Sequence, residues 1–244
     1  MKNLLIVFLL AASFQVFAQE SALLRVNYNK GDVYETTVIQ KQSTGIQSGT
    51  DMSIVMDTSV KNVTDELIQT ESKISSIAMV ANQGGMTMSY DSSKSDDELD
   101  ATGKMLKSQL SPMMSAVILS TIDIYGNIIE TSVEPAVPGM EQFTSAQSTI
   151  NYPKEKIFVG STWTSENENQ GMKVITNYTV TNISDGLVYI DIQGDVSGVG
   201  TGSMKGKSEI EISTGIAKNT ETVINVAAQG VEVTISSQVQ MTKK

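Results

Sequence analysis

Asp91, Asp96, Asp97, Glu98 and Asp100 form the densest group of titratable side chains in this 244-residue sequence. Two carboxylates converging on a pocket could do general acid and base work, and a larger group could hold a hard cation. The spacing argues against both. Serines and Lys94 break up the run, the glycine that turns a calcium loop is missing, and a helix is expected to follow. The cluster therefore reads as a solvated helix start. Asp185, Asp191 and Asp195 are separated by strand residues and read as surface carboxylates. The absence of His and Cys removes the Ser-His-Asp triad, the Cys-His pair, thiolate ligation of haem and the usual structural zinc sites. A Ser-Lys nucleophile stays open in principle, yet no Ser-x-x-Lys stands in a strand-to-helix setting. The glycine-rich stretch 194–206 has no phosphate-cradling pattern, and alternating glycines in a strand permit sharp twist or close backbone approach. No catalytic residue, metal ligand or cofactor is assigned, and the chain is expected not to be an enzyme.

The remaining composition fits a folded, acidic protein. With 40% hydrophobic and 18% charged residues the chain can bury a core without disulfides. Its 17 basic and 27 acidic residues give a net charge of -10, which repels nucleic acid phosphates and anionic lipid surfaces. Lys2, the apolar run from Leu4 to Phe17 and the small-residue end Val16-Phe17-Ala18 mark residues 1–18 as a secretory signal peptide. The run is shorter than the roughly 20 residues that span a bilayer, and Gln19 and Glu20 follow at once. The mature chain, residues 19–244, is expected to be exported to the periplasm or beyond in a Gram-negative bacterium, with no stable membrane insertion after cleavage.

Alternation dominates from Leu23 onward, as strands with one buried face require. Val231, Val233, Ile235, Val239 and Met241 share one side of the last segment, opposite Glu232, Thr234, Ser236, Gln238 and Gln240. About a dozen such runs separated by turn residues predict a mainly β fold, an antiparallel open barrel or sandwich. Residues 59–68 align without gaps on residues 179–188, with four identities and four conservative changes. Gly31-Asp32-Val33-Tyr34 and Gly160-Ser161-Thr162-Trp163 precede the two copies. Two related halves follow, 24–134 and 157–242, within one β-rich domain. Asp185-Gly186 suits a tight reversal through positive φ. Glu66 takes the glycine's place in the first copy, where a looser or strained turn is expected. Ser43 to Asp51 is expected to form an extended hairpin loop.

One inserted α-helix is expected near Leu99 to Met114, with Pro112 turning the chain. Leu99, Leu106, Leu110, Met113 and Met114 approximate its apolar face. The sequence holds 13 methionines against 5% aromatic residues, and these adaptable side chains either fill the core or line a cavity for an apolar ligand between helix and curved sheet. Leu106, Leu110, Met113, Met114 and Trp163 are the candidate ligand-binding residues.

The leader, Gly31-Asp32-Val33-Tyr34, the Gly126-centred turn after an isoleucine-rich strand, and Pro153 followed by Val159-Gly160-Ser161-Thr162-Trp163 carry a resemblance. Together they resemble an uncharacterised family, a domain of unknown function, of exported β-rich bacterial proteins from Bacteroidota-type lineages. That resemblance implies no activity. Antiparallel strands with a helix inserted midway also resemble the open barrels of periplasmic lipoprotein carriers and lipid binders, an architectural likeness. The function expected is a non-enzymatic binding or carrier module for an apolar, lipid-like ligand in the cell envelope. The alternative is a ligand-free structural or protein-interaction component.

Overall fold

The computed structural model describes residues 20–45, 48–138, 140, 150–169, 171–228 and 230–244. The expected leader lies outside these residues. In the first half the strands are β1 (Ser21–Ala22), β2 (Val33–Thr44), β3 (Ser48–Val63), β4 (Leu67–Gln83), β5 (Met86–Asp91), β6 (Val117–Asp123) and β7 (Ile128–Glu134). Among the described residues one helix, α1 (Ala101–Ser115), is present, and it sits between β5 and β6. The second half contributes β8 (Ile157–Phe158), β9 (Thr162–Asn169), β10 (Met172–Ser184), β11 (Leu187–Gly198), β12 (Thr201–Glu211), β13 (Ile216–Ala228) and β14 (Val231–Lys243).

The fold is mainly β, as the alternation requires. Twelve strands form one antiparallel sheet in the order β7-β6-β4-β3-β2-β14-β13-β12-β11-β10-β9, with β5 paired to β4. The sheet is not closed. β1 and β8 form a separate two-stranded ribbon. Two meanders are therefore joined head to tail, because the last strand, β14, pairs with β2 rather than with an edge of its own half.

The two halves share two of their irregularities as well as their order, while the shift between Val55 and Met56 in β3 belongs to the first half alone. The register shifts between Val60 and Asn62 in β3 and between Val180 and Asn182 in β10. It shifts again between Thr121 and Ile122 in β6 and between Glu209 and Ile210 in β12. Beside the second pair of bulges stand two buried serines. The hydroxyls of Ser120 and Thr131 lie 3.2 Å apart in one half, and those of Ser208 and Thr220 lie 2.8 Å apart in the other. Each serine spends its hydroxyl on a cross-strand partner, which removes the cost of burying it.

Three local expectations are corrected. Ser43 to Asp51 is no extended loop, because β2 runs to Thr44 and β3 begins at Ser48; the first half is longer there because its strands are longer. The Asp65-Glu66 turn needs no left-handed residue. Thr64 closes it by donating its hydroxyl to the Leu67 carbonyl at 3.1 Å and accepting the Leu67 N–H at 3.0 Å. In the second copy Asp185 and Gly186 do take positive φ, 54° and 76°. Finally, α1 continues through Pro112 to Ser115. The proline falls in the last turn, where little helix is left to disrupt. Only Asp100 of the acidic run serves the helix, as its N-cap, accepting the Gly103 N–H at 2.7 Å. Glu98 instead accepts from the Ser95 N–H and hydroxyl, and Asp96 pairs with Lys107.

Two apolar cores lie on one face of the sheet. The first draws Tyr34, Val60, Ile68 and Ile122 from one half together with Val180, Val188, Ile190 and Ile210 from the other, and is closed by Leu24, Val26 and Tyr152 of the segments outside the main sheet. The Tyr152 hydroxyl donates to the Gly215 carbonyl at 2.8 Å inside it. The second core is the seat of the helix, where Leu99, Leu106 and Met113 bury against Ile54, Ile74, Ile77 and Ile118.

Candidate ligand-binding face

Antiparallel pairing aligns side chains in rows across the sheet. One row runs Val180, Ile190, Ser208, Thr220, Val239, Val38, Ile54, Ile77 across eight strands. Its first residues lie in the first core and its last residues in the helix core. Two rows nearer the β11–β12 and β13–β14 hairpin tips continue the pattern. Met204, Ile224 and Ile235 are paired neighbours, as are Gly202, Val226 and Val233. Ile224, Val226, Val233, Ile235 and Val239 are only half-buried and belong to neither core. They form an aliphatic floor on β13 and β14, bordered by Met204 of the first core and Val38 of the second.

Glycines shape this floor. A side chain at Gly194 would come within 2.9 Å of the Met204 Cε, and one at Gly202 would run into the Asn225 carbonyl. At Gly202 the absence of Cβ allows β12 to approach β13 in this way. No carboxylate or ammonium belongs to these rows. Tyr178, at the edge of the first core, has its phenol pushed above the ordinary value by burial, despite the Ser165 hydroxyl 3.3 Å away. Such a surface can hold an apolar body by dispersion and exclusion of water, and offers no group to transfer a proton or bind a metal. Among the described residues no three His, Cys, Asp or Glu side chains gather to hold a metal ion.

The residues singled out from sequence fall on both borders. Leu106 and Met113 are buried in the helix core, and Leu110 and Met114 are half-buried against it, in the cluster that includes Val38 and Met52. Trp163 is not with them. It packs against the first core, as Met204 does, with its ring stacked on Tyr178 at 5.2 Å. The space between helix and sheet is a packed core, the first of the two alternatives drawn from the methionines. Methionines account for much of that packing: Met52, Met56, Met79, Met88, Met113, Met114 and Met140 all lie there. Ile224 and Val226 were missed, because Val223 and Ala227 interrupt the apolar alternation of β13. In β14 the stripe through Val233, Ile235 and Val239 was the available signal.

The opposite face mixes charged residues with exposed Ile39, Val80 and Val223. Two depressions adjoin there at Ile39, one of about 680 Å³ bounded by Asp191, Lys207, Glu221, Lys205 and Lys41, and one of about 500 Å³ bounded by Asp51, Val80, Tyr90, Asp91 and Leu99. Opposite charges are paired across the strands there, as Asp191 with Lys207 and Lys41 with Asp51, and they share the walls with Ile39, Met79, Val80, Leu99 and Val223, so both hollows are of mixed character.

Residues 139–244 match the family model of DUF6263, a family of unknown function. The DUF6263 match takes in β8 to β14, and so includes the aliphatic floor on β13 and β14. The expected likeness to an uncharacterised family is met in that form. Among solved structures the chain is similar to one titled for lipid-protein interactions in lipovitellin, with a TM-score of 0.58 and 12% sequence identity. The alignment covers 89% of this chain and 25% of the lipovitellin chain, so this protein spans about a quarter of that length. At that identity the likeness is one of fold. No curated protein matches the sequence.

Proposed function

We propose that this protein is a non-enzymatic binding or carrier module that holds an apolar, lipid-like ligand against the floor formed by Ile224, Val226, Val233, Ile235 and Val239. The observation that carries the reading is that these five aliphatic side chains lie between two cores and are packed into neither. A contiguous, half-buried apolar patch of this kind is what a binding face presents. The fold shared with lipovitellin, a protein whose structure is titled for its lipid-protein interactions, supports a lipid-like occupant. Leu110 and Met114 belong to the helix cluster that includes Val38 at one border of the floor, and Trp163 packs against the first core with Met204 at the other. The leader expected at residues 1–18 supports a role in the cell envelope.

The test is to purify the mature chain under native conditions and weigh it intact, then after denaturation. A bound mass lost on denaturation is expected, and Ile235→Asp is expected to lose it while remaining folded. Trp163 is the only tryptophan, so its emission should also respond when a fatty acid is added to stripped protein. Repeatedly clean protein whose Trp163 emission ignores added fatty acid would overturn the reading and favour a ligand-free envelope component.

A further inference from the structure

The hairpins of the sheet end at two opposite rims, and one of them has a composition of its own. At that rim each described tip pairs a glycine with one exposed apolar residue: Gly85-Met86 between β4 and β5, Gly171-Met172 between β9 and β10, Gly198-Val199 between β11 and β12, and Gly230-Val231 between β13 and β14. Met86 is 72% exposed, Val199 65%, Val231 46% and Met172 38%. All four glycines have positive φ, which tightens the turns and leaves the neighbouring side chain at the tip. Residues 82–88, 169–172, 197–203 and 227–231 contain no charged residue, in a chain of net charge -10. The opposite rim also exposes Leu67, Ile129, Phe158 and Val159, but sets such residues among Asp65, Glu66, Asp123 and Asp185.

The tips are also level. A single row crosses the sheet through Tyr178, Ile192, Ser237 and Met79. Met172 stands six residues beyond Tyr178, Val199 seven beyond Ile192 and Val231 six beyond Ser237, while Met86 pairs with Gln83, four beyond Met79. At about 3.4 Å per residue these tips end within roughly 10 Å of one another as measured along their strands. Isolated apolar points at a common level, ringed by Gln, Ser, Thr and Gly, suit the interface of a lipid layer, into which each can dip separately. A protein groove would need one contiguous patch.

We propose that this rim docks the protein reversibly onto an uncharged or zwitterionic lipid surface, with Met86, Met172, Val199 and Val231 as the inserted side chains. The acidic remainder of the protein accounts for the choice of lipid, because an anionic surface would repel it. Docking does not depend on the ligand-binding reading, although Val226 and Val233 carry the aliphatic floor toward the same rim.

The experiment is flotation of the mature chain with phosphatidylcholine vesicles, with and without added phosphatidylglycerol. The protein should float with the zwitterionic vesicles and less with the anionic ones. Replacing all four tip residues by Asp should cut the floated fraction by about tenfold or more, while Leu67→Asp, at the opposite rim and similarly exposed, should leave it unchanged. If the fourfold variant does not fold, Val199→Trp in a Trp163→Phe background serves instead, and its emission should shift to the blue on adding vesicles. Absence of flotation by the unaltered chain, undiminished flotation of a folded fourfold variant, or an unshifted Trp emission would each overturn the proposal. So would capture of a soluble protein through these tips with vesicles ignored.

Discussion

Val60 and Val180 are held by the same pair of hydrogen bonds in the two halves of the sheet. The Val60 N–H donates to the Asp32 carbonyl at 2.9 Å, and its own carbonyl accepts the Gly31 N–H at 2.9 Å. The Val180 N–H donates to the Ser161 carbonyl at 2.9 Å, and its carbonyl accepts the Gly160 N–H at 2.8 Å. Lys61 and Thr181, the next residues, are the extra ones of the two bulges. Each bulge turns the end of its hairpin so that Val63 and Ile68, or Ile183 and Val188, face the shared first core.

Deleting Thr181 should therefore be far worse than replacing it. Removing one residue from a strand sends the side chains beyond it to the other face, which would take Ile183 out of the core, where it is 3% exposed. The loss expected is about 3 kcal/mol or more, enough to abolish a soluble folded product. Thr181→Lys, the residue of the first copy, should stay within about 0.5 kcal/mol, because position 181 is exposed. Urea unfolding of the two variants checks both outcomes.

Gly186 and Gly206 predict two different penalties. Gly186 has φ 76° and open space around it, so Gly186→Ala should cost about 1 kcal/mol through the backbone alone. Gly206 lies within β12, where an added Cβ would run into the Glu221 carbonyl and come within 2.8 Å of the Thr222 Cγ2. Gly206→Ala should cost about 2–3 kcal/mol, because two strands must part to admit it. Denaturation midpoints at unchanged slope would show the order, and equal midpoints would count against the close approach of β12 and β13.

Much of this fold is written in local pattern. Period-two alternation marks β14 and β10, Asp185-Gly186 marks its turn, and the repeat at 59–68 and 179–188 marks two hairpins with a common bulge. What alternation cannot carry is pairing. Nothing in Val33 to Thr44 says that its outer neighbour is the last strand of the chain, since any antiparallel partner satisfies the same backbone groups. The floor was half legible for the same reason: Val233, Ile235 and Val239 announce a buried face, but whether a core or a ligand covers it is a tertiary fact. The helix was located by its apolar residues, while Pro112 overstated the position of its end.

Stability should fall at both extremes of pH, for identifiable reasons. The ammonium of Lys243, 2.7 Å from Asp32, holds that carboxyl at about 2, helped by the Asn29 N–H and the Tyr34 hydroxyl and opposed by burial. A carboxyl with a lowered folded pKa stabilises the fold above its unfolded value of 3.8 and loses that contribution as pH falls toward 2. Asp32→Asn should thus cost roughly 1 kcal/mol at pH 7, allowing for solvent screening around half-exposed Lys243, and almost nothing at pH 2. At the other extreme, burial raises the phenols of Tyr28 and Tyr152 well above their usual value of 10.0, and Tyr34 is raised by burial and by Asp32. These groups stabilise the fold below pH 10 and withdraw that support as pH climbs through their folded values. Thermal midpoints should accordingly drop above pH 10, less steeply in Tyr152→Phe.

Aspartate substitutions at Met113 and Ile235 should separate a core from a binding floor. Met113 is 6% exposed among Leu106, Ile54 and Ile118, so a carboxylate there has neither water nor a partner. Met113→Asp should cost at least about 3 kcal/mol and lose any bound mass through unfolding. Ile235 lies on the same face of the sheet but is half-buried and outside both cores. An aspartate there can reach solvent, and the cost should be about 1 kcal/mol, the loss of partial burial only. Its effect should appear in the ligand: the native mass shift and the response of Trp163 to fatty acid should vanish while the far-ultraviolet spectrum stays as it was. Retention of both by a folded Ile235→Asp protein would place the ligand elsewhere, because a charge in the middle of an aliphatic floor cannot be covered by an acyl chain without being stripped of water.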